Sequence, residues 1–307
     1  MKKVLVATEK PFAKAAVDQI EKIVKEAGYE FALLEKYTDK AQLLDAVKDA
    51  HAMIVRSDKV TREVIEAAAE LKIVVRAGAG YDNLDLEACT EKGIVAMNTP
   101  GQNSNAVAEL VLGMMVFMAR NSYNGSAGVE LRGKKLGIHA YGNVGHYVAE
   151  IAKGFGMEIY AFDPFVADEV ITAAGISPVK SVEELYKTCQ YISLHIPAND
   201  KTKKSINYDL LNLMPKGAVL VNTARKEVIH EEEILKVMAD RPDFKYISDI
   251  APDCKAEFEA KFEGRFLFTP KKMGAQTAEA NINAGVAGAN QIHGFFANGD
   301  ETFRVNK

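Results

Sequence analysis

The sequence predicts an α/β protein with two Rossmann-like, doubly wound parallel-sheet domains. Short β-branched runs alternate with helical periods along the chain, from VLVAT near the start to RFLFTP near the end. A polar stretch, RNSYNGSAGVELRGK, separates two such series. Strands that alternate with helices form right-handed βαβ units, which build parallel sheets covered on both faces. Two series therefore indicate two sheets.

The first series supplies five strand patterns, each followed by a helical pattern. The strands are VLVAT, FALLE, AMIVRS, KIVVRAG and IVAMNTPG. The first helix, FAKAAVDQIEKIVKEAG, has apolar residues at helical spacing and ends at a glycine. The last, around SNAVAELVLGMMVFMA, is apolar enough to be either a buried helix or part of a contact surface.

The second series adds KLGIHAYG, EIYAFDP, YISLHIP, AVLVNTAR, KYISDIAP and RFLFTP. A domain break is expected near residue 98, where NTPGQN carries turn signals ahead of the long helix. A final helical pattern covers about 276 to 297 and is too polar to span a membrane. We expect it to pack back on the first domain before a strand-like TFRVN.

Composition excludes several classes of protein. The 307 residues carry a net charge of -4, which gives no overall attraction to nucleic acid or to an anionic membrane. No window approaches about 18 uninterrupted apolar residues, so no membrane span is expected. Three cysteines lie far apart without a C-x-x-C pair, which argues against disulfides or structural zinc and favours a cytoplasmic location.

A glycine-containing turn is the most informative local feature. In LGIHAYGNVGHYVAEIAKGFGMEIYAFD, a strand, a turn with Gly142 and Gly145, a helix and a second strand ending at Asp163 form one βαβ unit. In dinucleotide sites the helix start binds pyrophosphate and the acid binds the adenosine ribose. A carboxylate there repels a 2′-phosphate, so NAD is favoured over NADP. The first fingerprint position departs from the pattern because it holds Ala140 instead of glycine.

Further motifs occur in the order typical of one enzyme family. They are VRAGAGYDNLDLEAC, NTPGQNSNAVAEL, LRGKKLGIHAYGNVG, FDP, SLHIPANDKTK, MPKGAVLVNTAR and a Thr-Pro segment. Together they resemble the NAD-dependent D-2-hydroxyacid dehydrogenases over nearly the whole chain. The VRS and VRAGAGYDN motifs are most similar to the branch that oxidises D-3-phosphoglycerate to 3-phosphohydroxypyruvate, the first step of phosphorylated serine synthesis. The chain resembles a short form without the C-terminal regulatory domain of longer members.

The resemblance implies an organisation for the chain. Residues 99–282 are expected to form an NAD-binding domain, inserted into a substrate-binding domain made of residues 1–98 and 283–307. The family usually dimerises through its cofactor domains, which implies a homodimer. The implied substrate is a small phosphorylated 2-hydroxy or 2-oxo acid.

The resemblance also implies the site residues. Arg225 matches the family arginine, whose planar fork can bind the substrate carboxylate and keto oxygen together. The positions expected to bind substrate are Arg56, Ser57, Arg76, Ala77, Gly78, Ala79 and Lys271. The positions expected to bind the cofactor are Asn103, Ala140, Tyr141, Gly142, Asn143, Val144, Gly145, Asp163, Pro164, His195, Ile196, Pro197, Thr202, Thr223, Ala224, Asp249, Gly274 and Ala275.

The histidine that most members place after the Thr-Pro dipeptide is missing. Counting back from the glycine turn at Gly274 puts Lys272 at its position, whereas counting forward from Pro270 selects Lys271. We expect Lys272 to be the general acid/base, because the turn fixes the local geometry. The structural alternative is that both lysines are solvated or only attract the substrate phosphate.

The family glutamate that pairs with this histidine is missing too. Counting from Asp249 puts Cys254 at its position, next to Asp253, and Lys226 replaces the glycine that usually follows the arginine. A carboxylate raises the pKa of a histidine usefully, whereas a lysine base needs its pKa lowered, by burial and by nearby positive charge. The sequence therefore predicts that Lys272 functions without a carboxylate partner.

Three functions remain open at this point. The first is reversible oxidation of D-3-phosphoglycerate with NAD. The second keeps the chemistry but acts on an unphosphorylated acid such as glyoxylate or hydroxypyruvate. The third is a non-catalytic, NAD-responsive binding protein, which the missing histidine and glutamate favour and the retained Arg225 opposes.

Overall fold

The computed structural model describes residues 1–306, which form two compact units. One unit comprises Met1–Asn103 together with the C-terminal part of the chain from Gln276, and the other comprises Ser104–Ala275. Each unit contains one sheet, and all strand pairs within the sheets are parallel. The predicted fold class is therefore confirmed.

The first unit has a five-stranded sheet in the order β2-β1-β3-β4-β5. Because the strand order reverses between β1 and β3, the loops after these strands border the place where open α/β sheets bind ligands. The strands are β1 (Lys3–Thr8), β2 (Glu30–Glu35), β3 (Ala52–Val55), β4 (Ile73–Arg76) and β5 (Val95–Asn98), and the helices are α1 (Lys14–Glu26), α2 (Lys40–Ala46), α3 (Arg62–Ala67), α4 (Leu86–Glu91) and α12 (Ala278–Asn298).

The core of this unit covers both faces of its sheet. Leu5 and Ala7 of β1 join one buried cluster, whereas Val4 and Val6 join the other. This alternation follows from the two-residue period of a strand. Both faces are apolar, as a parallel sheet covered by helices requires.

Helix α12 packs on α1 and on strands β3 and β4. The hydroxyl of Thr277 caps its first turn by accepting the N–H of Ala280 at 3.1 Å. Gly285 allows the close approach, because a Cβ there would lie 2.8 Å from the side chain of Ile20. The prediction of a strand at TFRVN is wrong, because this segment forms one isolated β-bridge, between Arg304 and Met97.

The second unit has a seven-stranded sheet in the order β12-β11-β10-β9-β6-β7-β8. Apolar clusters cover both of its faces, and α5 packs beside α6. The order reverses between β6 and β9. The strands are β6 (Lys135–His139), β7 (Glu158–Phe162), β8 (Ser177–Pro178), β9 (Tyr191–Leu194), β10 (Val219–Asn222), β11 (Lys245–Ser248) and β12 (Phe266–Phe268), and the helices are α5 (Ser104–Ala119), α6 (Asn143–Gly154), α7 (Asp168–Ala173), α8 (Val182–Thr188), α9 (Tyr208–Asn212), α10 (Glu231–Asp240) and α11 (Lys255–Lys261).

Two features are not found in residues 1–306: a membrane-spanning helix and a metal site. No helix in that range is long and apolar enough to cross a membrane. No group of three His, Cys, Asp or Glu residues in the same range is arranged to hold a metal ion.

Candidate active site

The turn after β6 has the geometry of a dinucleotide-binding turn. Ala140 adopts a φ of +81°, a left-handed conformation that glycine adopts with less strain. A Cβ at Gly145 would lie 2.6 Å from the carbonyl oxygen of Ala140, so only glycine lets α6 approach the turn this closely. Gly142 borders open space and begins α6 without a side-chain cap. The first N–H groups of α6 therefore remain available for a phosphate.

Asp163 follows β7 and braces this turn. One carboxylate oxygen accepts the N–H of Tyr141 and the other accepts the N–H of Phe165, both at 2.9 Å. Each oxygen of a carboxylate can accept more than one hydrogen bond, so both keep capacity for hydroxyl groups. This donor and acceptor set fits the pyrophosphate and ribose of NAD.

Two histidines lie at the carboxyl ends of β6 and β9: His139 ends β6 and is buried, and His195 directly follows β9 and is partly buried. The ring of His139 contacts the hydroxyl of buried Tyr186 at 3.3 Å, and the ring of His195 contacts the hydroxyl of Ser193 at 3.0 Å. Burial lowers the pKa of His139 to about 4 and that of His195 to about 3. Both imidazoles are therefore neutral near pH 7 and support the sheet edge.

The other expected cofactor positions, except Asn103, lie in the second unit. The hydroxyl of Thr202 is already used in the turn after β9, where it donates to the carbonyl oxygen of Pro197 and accepts the N–H of Asn199. The hydroxyl of Thr223 is buried without a hydrogen-bond partner in the described residues, as expected of a group that awaits a ligand. The remaining positions are Asn143 and Val144 in α6, Pro164 after β7, Ile196 after β9, Ala224 after β10, Ala275 after β12, and Asn103, which directly precedes α5.

Arg225 follows β10 in a segment that Asn222 holds in place. The amide of Asn222 accepts the N–H of Ala224 at 3.0 Å and donates to the carbonyl oxygen of Arg225 at 2.9 Å. The guanidinium donates to the carbonyl oxygen of Ala224 at 3.1 Å. Within residues 1–306, no carboxylate lies in ion-pair distance of it. The rest of its planar fork is therefore available to an anion.

Lys272 follows β12 and points back to the Arg225 segment. Its ammonium donates to the carbonyl oxygens of Ala224 at 2.8 Å and Thr223 at 3.2 Å, and to Asp249 Oδ1 at 3.1 Å. The Asp249 carboxylate is fully buried and also accepts the N–H of Gly274 at 2.9 Å. The expectation that Lys272 lacks a carboxylate partner is wrong, because β11 and β12 are neighbours and bring the two side chains together.

The pKa of Lys272 reflects opposing influences. Burial lowers it most, the Asp249 carboxylate raises it, and the positive charge of Arg225 lowers it. The net result is a pKa below the ordinary value for lysine. Lys271, by contrast, has an exposed side chain, and its carbonyl oxygen accepts the hydroxyl of Thr269 at 2.8 Å. The structure therefore turns Lys272, and not Lys271, towards Arg225.

A cysteine, Cys254, stands at the position expected for the family glutamate. Burial raises the pKa of Cys254 to about 12, so its thiol stays protonated. The carboxylate of Glu231 accepts the N–H groups of Asp253 and Cys254, both at 2.9 Å. Asp253 pairs with Lys226 at 2.5 Å and so does not contact Lys272. This explains Lys226 structurally: it links the segment after β10 to the segment after β11.

The first unit places its expected substrate residues at the carboxyl ends of β3 and β4. Arg56 donates from one terminal nitrogen to the carbonyl oxygens of Lys10 at 3.0 Å and Pro11 at 2.9 Å. Its other terminal nitrogen donates to Asn281, and the guanidinium lies over the ring of Phe12. Ser57 follows Arg56 directly, in the same turn.

Arg76 ends β4 and folds over the glycine that follows. Its Nε donates to the carbonyl oxygen of Arg56 at 3.1 Å. A Cβ at Gly78 would lie 1.4 Å from a guanidinium nitrogen of Arg76, so a larger residue there would displace that side chain, and the φ of +150° also favours glycine. Ala77 continues the sheet edge by donating its N–H to the carbonyl oxygen of Val55, and the carbonyl oxygen of Ala79 accepts the amide of Asn98.

Asp58 is a buried charge that sequence reasoning missed. Its carboxylate is 3% exposed and accepts the N–H of Glu9 at 2.6 Å, the hydroxyl of Tyr37 at 2.8 Å and the N–H of Arg56 at 3.3 Å. It thus connects the loops after β1, β2 and β3. Only the unusual placement of an acid after an apolar strand could have drawn attention to it.

Comparisons with known proteins find relatives in one enzyme family. Residues 105–263 match the family described as "D-isomer specific 2-hydroxyacid dehydrogenase, NAD binding domain". Over its full length the chain is 50% identical to the NAD+-bound 3-phosphoglycerate dehydrogenase of Entamoeba histolytica, with a TM-score of 0.89 and 99% of that chain covered.

Two curated relatives extend the comparison. D-3-phosphoglycerate dehydrogenase of Methanocaldococcus jannaschii is 39% identical over 82% of the chain, which spans 51% of that longer protein. Hydroxypyruvate reductase of Thermotoga maritima is 33% identical over 84% of the chain and 88% of its own length. The chain thus spans about half the length of the curated phosphoglycerate dehydrogenases that it matches.

Proposed function

Because the chain belongs to the D-isomer specific 2-hydroxyacid dehydrogenase family, we propose that it oxidises D-3-phosphoglycerate reversibly to 3-phosphohydroxypyruvate with NAD. The observation that carries this proposal is the meeting of Arg225 and Lys272 at the carboxyl ends of β10 and β12. An anion-binding fork and an amine of lowered pKa lie side by side there.

The cofactor supplies the hydride acceptor or donor for C2 of the substrate. The uncapped start of α6 would hold its pyrophosphate, and Asp163 would hold its adenosine ribose. The carboxylate of Asp163 disfavours a 2′-phosphate and supports NAD over NADP.

Arg225 binds and orients the 2-hydroxy or 2-oxo acid. Its guanidinium presents several N–H groups in one plane, so it can donate to the substrate carboxylate and to the oxygen on C2 together. The same positive charge stabilises negative charge that develops on that oxygen during reduction. Asn222 keeps the Arg225 backbone in place for this role.

Lys272 transfers the proton. In oxidation the neutral amine accepts the proton of the C2 hydroxyl while hydride leaves C2, and the product is a ketone and an ammonium. In reduction the ammonium returns the proton to the C2 oxygen. Burial and the charge of Arg225 lower the pKa of Lys272, which makes the neutral amine easier to form than in an ordinary lysine, whereas Asp249 orients the ammonium and limits the shift.

The phosphate is assigned to residues after β3 and β4. Arg56 and Ser57 follow β3, which borders the order reversal of the first sheet, and Arg76 ends the neighbouring strand β4. A substrate with both a carboxylate and a phosphate needs a second set of cations besides Arg225, and these residues supply one. The second candidate is an unphosphorylated acid, because the chain also resembles a hydroxypyruvate reductase.

The proposal includes a cytoplasmic homodimer that associates through the cofactor domain. Exposed apolar side chains near the end of α5 support association, among them Tyr123 at 64% and Val129 at 52% exposure. Three buried free thiols, Cys89, Cys189 and Cys254, fit a reducing compartment. Sedimentation of the purified chain tests the dimer.

Loss of NADH absorbance tests the function. The chain is mixed with NADH and phosphohydroxypyruvate, hydroxypyruvate or glyoxylate, and kcat/KM is compared. We expect phosphohydroxypyruvate to be preferred. Arg225→Lys keeps the charge but loses the fork, so its kcat/KM should fall by about a hundredfold. No turnover of any 2-oxo acid would instead favour the NAD-responsive binding protein.

A further inference from the structure

Arg56 has few N–H donors left for a substrate phosphate. A guanidinium has five N–H donors. Two of them go to the carbonyl oxygens of Lys10 and Pro11, and one goes to Asn281. Only two remain, whereas a phosphate monoester presents three strong acceptor oxygens.

The charge of Arg56 is also partly balanced from within the protein. The buried carboxylate of Asp58 accepts the N–H of Arg56, and its negative charge opposes the effect of burial on the pKa of the Arg56 guanidinium. A phosphate monoester carries a charge of about -1.5 to -2 near pH 7. Recognition of such a group is therefore strengthened by a further cation in addition to Arg56 and Arg76.

The backbone of Lys10 is fixed next to the side chain of Arg56. It lies in the loop after β1, and β1 pairs with β3, the strand that precedes Arg56. Its carbonyl oxygen accepts Arg56 at 3.0 Å and the hydroxyl of Thr8 at 2.6 Å. The preceding residue, Glu9, is held through its N–H by Asp58 at 2.6 Å. The loop is thus tied on both sides to the turn that carries Arg56.

The side chain of Lys10 remains available for a ligand. It is exposed, and no carboxylate within residues 1–306 lies in ion-pair distance of its ammonium. Lys14, four residues later, has its ammonium 2.7 Å from Asp18. Lys10 therefore combines a fixed backbone, an unpaired charge and a position at the ligand-binding edge of the sheet.

We propose that Lys10 recognises the phosphate of the substrate together with Arg56 and so determines the preference for phosphorylated over unphosphorylated 2-oxo acids. This inference rests on the proposed function. Arg56 contributes its two remaining N–H groups, and the ammonium of Lys10 contributes up to three more. No step of proton or hydride transfer involves Lys10.

Steady-state kinetics of Lys10→Ala with two substrates test the proposal. The KM for phosphohydroxypyruvate should rise about tenfold, as expected for one hydrogen bond to a charged group. The kcat should change little, and the KM for hydroxypyruvate should change several-fold less. Lys10→Arg should restore most of the affinity for the phosphorylated acid. Lys14→Ala is the matched control and should behave as the wild type.

The outcomes separate this inference from the proposed function. A wild type that prefers the phosphorylated acid, with an unchanged KM in Lys10→Ala, overturns the role of Lys10 alone. Equal losses with both substrates in Lys10→Ala also overturn it, because a loop distortion would have that effect. A wild type that prefers hydroxypyruvate overturns the substrate assigned above.

Discussion

Removal of the Asp249 carboxylate should shift the pH dependence of catalysis. Two unit charges 3.1 Å apart attract by about 5 kcal/mol at an effective dielectric constant of about 20, which equals about four pKa units. This is an upper bound, because 40% of the Lys272 side chain is exposed and two carbonyl oxygens still hold the ammonium. For Asp249→Asn we expect the pKa of Lys272 to fall by about one to two units.

The sign of the shift follows from the role of the lysine. Oxidation requires the neutral amine, so the limb of kcat/KM that rises with pH should move to lower pH by the same one to two units. Reduction requires the ammonium, so its falling limb should move in the same direction. Both are measured at saturating cofactor, because Asp249 is also an expected cofactor residue.

A matched variant separates this effect from a general change in charge. Asp253→Asn removes a nearby carboxylate that pairs with Lys226 instead of Lys272, so it should leave both limbs in place. If Asp249→Asn leaves the limbs where they are in the wild type, or if both variants shift them equally, then Asp249 does not set the pKa of the catalytic group.

Two predictions concern stability. Ala140→Gly should raise the free energy of unfolding by about 0.5–1 kcal/mol, because relief of the left-handed conformation exceeds the entropy cost of glycine; a lower urea midpoint in the variant would contradict this. Burial lowers the pKa of His139 to about 4, so between about pH 6.5 and 4 the unfolded chain binds one more proton at this residue than the folded chain does. As pH falls through that window, His139 should therefore lower the free energy of unfolding by about 1.4 kcal/mol per pH unit. His139→Gln should reduce the slope by that amount, and an unchanged slope would contradict the neutral buried imidazole.

The sequence predicted the fold well because its signals are local. Apolar runs and helical periods specify strands and helices, and the chain order of βαβ units implies parallel sheets. The two-residue strand β8 carried too little signal to be noticed. The prediction of a strand at TFRVN was wrong because alternation of apolar and polar residues does not by itself provide a neighbouring strand. In this segment only Arg304 forms a β-bridge.

The candidate site was less accessible to sequence reasoning. Motifs located Arg225 and Lys272, but the ion pair between Lys272 and Asp249 depends on the order of strands in the sheet, which the sequence does not state. The same is true of Asp58, whose donors come from three separate loops. Long-range contacts between loop residues leave no periodic pattern in a sequence.

Turnover of Lys272→Ala tests whether Lys272 transfers the proton. We expect kcat to fall by about a hundredfold or more, with NADH affinity retained and partial recovery when a small primary amine is added. Lys271→Ala should keep most of the wild-type kcat. Near-normal turnover in Lys272→Ala, or a comparable loss in Lys271→Ala with amine recovery there instead, would contradict the claim.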